Sequence, residues 1–216
     1  MSDIPNIFNL IIVLALLGVM SLLIVVATSF IKIAVVFSLL RSALGVQQIP
    51  PNIALYGLAL MLTAYIMAPV GFQIADYVST HEVSIEKEDS FAQFLDEGLN
   101  AYRDFLIKEI REPERVFFLE TAENLWPQAF YEKLEKNSLF VLLPAFTISE
   151  LTRAFEIGFL IYLPFIVIDL IVSNILLAMG MMMVSPMTIS LPFKLLLFVL
   201  LNGWTKLTHG LVLSYS

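Results

Sequence analysis

Few residues in this chain have the types and spacing that could do chemistry. Ser29 and Lys32 stand in an S-x-x-K spacing, in which a lysine amine can draw the proton from a serine hydroxyl and make it a nucleophile. No companion motif follows them, so the pattern lacks the partners that an acyl-transfer site needs. The two histidines, His81 and His209, are far apart and form no helical i,i+4 pair of the kind that holds zinc. The absence of cysteine excludes a disulfide framework, an iron–sulfur centre and a thiol nucleophile. No G-x-x-x-x-G-K-[ST] run is present to cradle nucleotide phosphates. The sequence therefore predicts a protein that is not an enzyme, with no metal and no cofactor.

What remains is polarity embedded in apolar surroundings. Glu150, Arg153 and Glu156 recur at three-residue intervals, so on one helix they can form i,i+3 pairs along a single flank. The bland alternative is pairing within that helix. The sharper expectation is that this strip, with Lys32, Arg41 and Asp169, contacts a neighbouring copy, because charge facing lipid is untenable. Residues 179–187, MGMMMVSPM, hold five of the nine methionines. Unbranched, polarizable thioethers can fill an irregular core gap or line a constriction that deforms and reseals.

The elements that must position these residues are membrane-type helices. Apolar residues make up 59% of the 216 and charged residues 14%, with a mean hydropathy of +0.87, against roughly 45–50% and about 25% in soluble domains. Segments 7–27, 53–75, 155–177 and 191–213 reach the roughly 20 apolar residues that cross a bilayer. The first lacks the basic leader of a signal peptide and is expected to be retained. None is purely apolar: Pro69, Glu156, Pro164, Asp169, Pro192, Lys194, Asn202, Lys206 and His209 interrupt them, as suits helices of an assembly that do not face lipid throughout. The organisation expected is a hydrophobic helical hairpin at 1–75, an acidic helical insert at 76–137, and a second hydrophobic hairpin at 138–216 containing the methionine-rich loop 179–187.

The insert carries 15 acidic and 7 basic residues, a net of −8, while the whole chain has −7. An acidic surface argues against nucleic acid as a partner. Lys32 and Arg41, placed in the first connection, put that connection toward the cytoplasm and the insert on the opposite face of the membrane. Ser90 and Gln93 suit a capping box, helical spacing runs from Phe91 to Ile110, and Pro113 is expected to end that helix. Shorter helices follow before Trp126 and around 130–134, forming a cap that packs on itself. Gln47, Gln48, Pro50, Pro51 and Asn52 mark the tip of the first hairpin, since consecutive prolines cannot continue a helix. Such a tip is either a simple turn or a contact site for a cytoplasmic partner. Gly203 beside Trp204 permits close helix approach.

Three blocks carry a family resemblance. Residues 28–70, TSFIKIAVVFSLLRSALGVQQIPPNIALYGLALMLTAYIMAPV, resemble the first hairpin of the FliP/SctR family of type III secretion export-apparatus proteins. Residues 144–159, PAFTISELTRAFEIGF, and 179–204, MGMMMVSPMTISLPFKLLLFVLLNGW, look like its second and third signatures. The chain's shortness and the lack of a basic leader resemble the virulence, SpaP-like branch.

The resemblance implies an all-α membrane-type protein of long broken helical hairpins that assembles as a ring around a central pore. It implies a pentamer of this subunit joined by SctS-like and SctT-like subunits, with SctU-like and SctV-like components nearby. The complex would belong to the bacterial inner membrane, lie largely at periplasmic level, and pass unfolded virulence polypeptides. The family's methionine gasket maps onto Met181, Met182 and Met183, which would converge on the axis and close it to ions. Without the resemblance, a homo-oligomeric small-solute transporter or ion channel is the alternative. Transporters, however, show paired repeats, which are not evident here, and cation channels favour an acidic ring, whereas residues 171–193 carry no charge.

Overall fold

The computed structural model describes residues 11, 14, 15, 18, 25–46, 48–81, 90, 93–131 and 134–216, and among them every regular element is helical. Most of segment 7–27, with Gln47 and Phe91, lies outside the described residues.

Helix α1, Phe30–Leu44, fills most of the expected first connection. It stops at Gly45, whose φ of 78° is left-handed and whose N–H reaches Ser42 C=O; glycine enters that region without a Cβ penalty. The chain then passes the tip and enters α2, Asn52–Thr80, directly after Pro51. Arg41, in the last turn of α1, spans the tip by donating to Pro50 C=O at 3.4 Å and to Asn52 Oδ1. Lys32 is not a loop cation: it lies inside α1 and is fully buried. It therefore drops out of the positive-inside argument, which is left resting on Arg41.

The insert holds a π-turn, Phe94–Gly98, then α3, Asn100–Glu109, α4, Glu112–Leu125, and α5, Gln128–Tyr131. Pro113 starts a helix instead of ending one. The break falls at Ile110 and Arg111, both extended, and Pro113 sits in the first turn of α4, where its missing N–H would have had no intrahelical partner anyway. The insert also packs beyond itself. Leu106 and Ile110 join Leu142, Ala145 and Phe146 in one buried cluster, with Tyr102, Phe105 and Phe118 against it.

Those last three buried residues belong to α6, Leu139–Ala178, a 40-residue helix that contains Pro144 and Pro164. At 1.5 Å per residue it is about 60 Å long, and it begins at Leu139, well before the apolar segment that suggested it. Its first turns receive the insert. Further along, Ala154 meets Ile33, Val36 and Phe37 of α1 in the central core, which Leu55, Ala59 and Leu211 complete. Gly158 makes the close approach possible, since a Cβ there would lie 2.2 Å from Leu39 Cδ1.

The fourth apolar segment is broken. Helices α7, Pro186–Leu200, and α8, Gly203–Leu213, meet at an elbow of 60°. Asn202 turns it with a φ of 52°, a conformation asparagine tolerates better than most residues. Trp204 then stands edge-on to Phe198 and to Phe37, with ring centroids 5.5 and 5.9 Å away. Among the described residues α2 and α6 are long and apolar enough to cross a membrane, and the bent pair would be a third.

Candidate functional site

Helices α1, α3 and α6 and the residues after α8 converge on a buried group of charges. Lys32 Nζ lies 3.3 Å from Glu150 Oε1, with side-chain exposures of 1% and 0%. The phenol of Tyr215 donates to the other carboxylate oxygen, Oε2, and its ring lies under the Lys32 ammonium, 3.5 Å from nitrogen to centroid. Arg153 Nη1 bridges Glu150 Oε1 at 3.4 Å and Glu109 Oε2 at 2.8 Å. Lys108 Nζ donates to Tyr215 C=O at 3.1 Å. Burial, followed by the Glu150 carboxylate, pushes the Tyr215 phenol well above the ordinary tyrosine range. Two acids, an arginine, a lysine and a phenol thus satisfy one another, which is what a buried ion pair requires to be tolerated. Ser29 is also buried, and its hydroxyl has no hydrogen-bond partner among the described residues, while the lysine of that S-x-x-K spacing pairs with Glu150.

The remaining predicted charges lie apart. Glu156 pairs with Arg111 of the insert at 3.1 Å, both half-exposed, and the Arg111 N–H donates to Ser149 Oγ at 3.0 Å. Asp169 accepts from Lys194 Nζ and from Ser190 Oγ, each at 2.6 Å, and Lys194 also donates to Ala43 C=O at 3.2 Å. One carboxylate therefore ties α7 to α6, and its lysine ties both to the end of α1. Lys32 and Glu150 have no surface left for a neighbouring copy, and Arg41 holds its own hairpin tip. Arg153, Glu156 and Asp169 keep part of their surface.

Sequence reasoning missed Glu109, Lys108, Tyr215 and Ser190, and noted Lys194 only as an interruption. Ser190 and Lys194, four residues apart in an apolar helix, formed a signal that could have found the Asp169 tie.

The methionine turn is the opposite kind of place. Helix α6 ends at Ala178; Gly180 takes a φ of 75°, its N–H bonding Leu177 C=O, while the Met181 N–H bonds Leu176 C=O. These bonds satisfy carbonyls that the helix end would otherwise leave open. Pro186 then starts α7. Between them Met181, Met182 and Met183 are 43%, 81% and 102% exposed, at the far end of the α6–α7 hairpin.

Comparison with known proteins follows the same outline. Residues 13–211 match the FliP family model. The chain is 66% identical over 216 residues, all of both proteins, to Yop proteins translocation protein R of Yersinia pestis. It is 52% identical over 205 residues, 94% of each, to virulence protein YscR of Salmonella typhimurium. Harpin secretion protein HrcR of Erwinia amylovora is 45% identical over 202 residues, 94% of this chain and 93% of that one.

Proposed function

Because the chain belongs to the FliP family and is a type III secretion export component, we propose that it is a core structural subunit of the export gate, sealing the closed pore with a ring of methionines. It would sit in the bacterial inner membrane as a pentamer with SctS-like and SctT-like subunits, next to SctU-like and SctV-like components, and pass unfolded virulence polypeptides. Lateral contacts between copies would draw on Arg153, Glu156 and Asp169, whose charge is not wholly covered within the chain. The hairpin tip at Gln48, Pro50 and Pro51 would serve as a rigid turn.

The observation that carries the gate proposal is the exposure of Met181, Met182 and Met183 on a turn closed at its α6 end by the capping bonds of Gly180 and Met181 and followed directly by Pro186 at the start of α7. Apolar side chains projected together into solvent call for partners of their own kind. Copies arranged around an axis would supply them, and an apolar constriction blocks ions because wetting it is unfavourable. Thioethers pack without fixed shape, so the same contacts could part for a polypeptide and close again.

The test is ion conductance of the purified export complex in a planar bilayer, for the native protein and for a variant with all three methionines replaced by alanine. The native complex should be silent and the variant should leak. Equal, low conductance in both would remove the methionines from the seal.

A further inference from the structure

The inner side of the elbow between α7 and α8 faces α6 across a groove of about 330 Å³, lined by Leu40, Ile161, Phe165, Leu197, Leu207 and Lys206 among others. Lys206 is the one charged residue among those lining it, and it is exposed. Among the described residues it has no ion pair, and the sequence has no Asp or Glu after Asp169. The acids of α6 are engaged elsewhere: Glu150 with Lys32 and Arg153, Glu156 with Arg111, Asp169 with Lys194. His209, one turn further along α8, is exposed as well and places a second polar side chain along that edge. Around the elbow Val199, Leu200 and Leu201 are between 50% and 69% exposed, an apolar collar that suits hydrocarbon.

An apolar trough with a single ammonium at its edge is complementary to a molecule with one long apolar chain and one negative head. A lysine in such a helix lays its stem on apolar surface and carries its charge toward the interface, and an unpaired cation there is disfavoured until an anion reaches it. We infer that the groove binds an anionic phospholipid, an acyl chain lying between α6 and the elbow and the phosphate resting on Lys206. The site is separate from the methionine turn and from the buried network. It depends on the membrane character of the chain and not on the gate proposal, so either can fail without the other.

Native mass spectrometry of the detergent-purified protein, titrated with phosphatidylglycerol or phosphatidylcholine, tests the site. The native chain should retain phosphatidylglycerol in preference to phosphatidylcholine. Lys206→Gln should weaken phosphatidylglycerol retention about fivefold, the worth of one cation near an anionic lipid surface, and leave phosphatidylcholine unchanged. Leu201→Trp, which fills the trough, should weaken both, and inorganic phosphate should not compete. Thermal unfolding of each variant reports whether it is folded, and the preference shown by the native chain decides the matter if a variant is not. Absence of that preference, or undiminished phosphatidylglycerol binding by folded Lys206→Gln, overturns the site. A photo-crosslinker at Leu197 that captures a protein subunit instead of lipid in the assembled complex overturns it equally.

Discussion

Lys32 and Glu150 are 118 residues apart in the chain and 3.3 Å apart in the fold, with no more than 1% of either side chain exposed. Each helix that contributes to the pair is thereby fixed in register against the other. Removing Glu150 strands Lys32 as a buried charge, which destabilises by about 3–5 kcal/mol, removing Lys32 leaves Glu150 to Arg153 and Tyr215, and replacing both with apolar residues of similar volume is often close to neutral. Glu150→Met and Lys32→Met should each lower the unfolding midpoint, and the two together should recover much of the loss. Denaturant unfolding in detergent micelles, followed by helical circular dichroism, measures all three. A double variant as weak as the sum of the singles would mean that the pair is not the energetic link.

Tyr102 donates its phenol to Ala27 C=O at 2.6 Å, and burial holds its pKa well above the ordinary range. The folded state therefore keeps the proton after the unfolded chain, ionising near pH 10, has begun to lose it. Stability should be level below that pH and fall as pH rises toward the folded pKa. Tyr102→Phe should lose about 1 kcal/mol at neutral pH with the hydrogen bond and show a shallower decline in alkali. Chemical unfolding at about pH 8 and about pH 11 compares the two slopes. Tyr215, whose phenol is displaced in the same direction, leaves some slope in the variant.

Gly203 opens α8 against an aromatic ring. A Cβ there would lie 2.2 Å from the Phe198 ring, itself stacked edge-on with Trp204. Gly203→Ala should cost about 1–3 kcal/mol, as overpacking does, with a changed tryptophan fluorescence as the ring moves. Unaltered fluorescence and melting would show that the elbow has slack.

Asp169 anchors the hairpin whose far end carries the methionines. Asp169→Asn leaves the Lys194 ammonium, 4% exposed, beside a neutral amide, and a hydrogen bond between charged groups is worth about 1.5–3 kcal/mol. Amide hydrogen exchange across residues 179–187 should quicken while that of α1 and α2 does not. Unchanged protection of the turn would mean that its caps alone hold it.

The helical class and the hairpin tip were legible because local signals decide them: long apolar runs, then Gly45 and paired prolines. Pro113 misled because proline stops a helix from within but suits its first turn, and nothing nearby distinguished the two. The extent of α6 was hidden for a related reason, since Pro144 and Glu150 interrupt an apolar run while tertiary packing on the insert and α1 carries the helix through them. Glu150, Arg153 and Glu156 suggested one charged flank. The Arg153–Glu150 contact does follow the i,i+3 spacing, but Glu156 turns to Arg111, 45 residues away. Tyr215 and Glu109 left no periodic trace, because each is recruited by a partner on a different element. The methionine turn stood out in composition, yet its projection beyond the core depends on the capping bonds at Gly180 and Met181.

The exposure of Met182 and Met183 also sets how the isolated subunit must be handled. Uncovered thioethers are open to peroxide, and conversion to sulfoxide makes a pliable apolar side chain polar and chiral. A subunit aged in air before assembly would carry that damage at residues 181–183 ahead of any change in its buried core, and methionine sulfoxide reductase would be the reagent that reverses it.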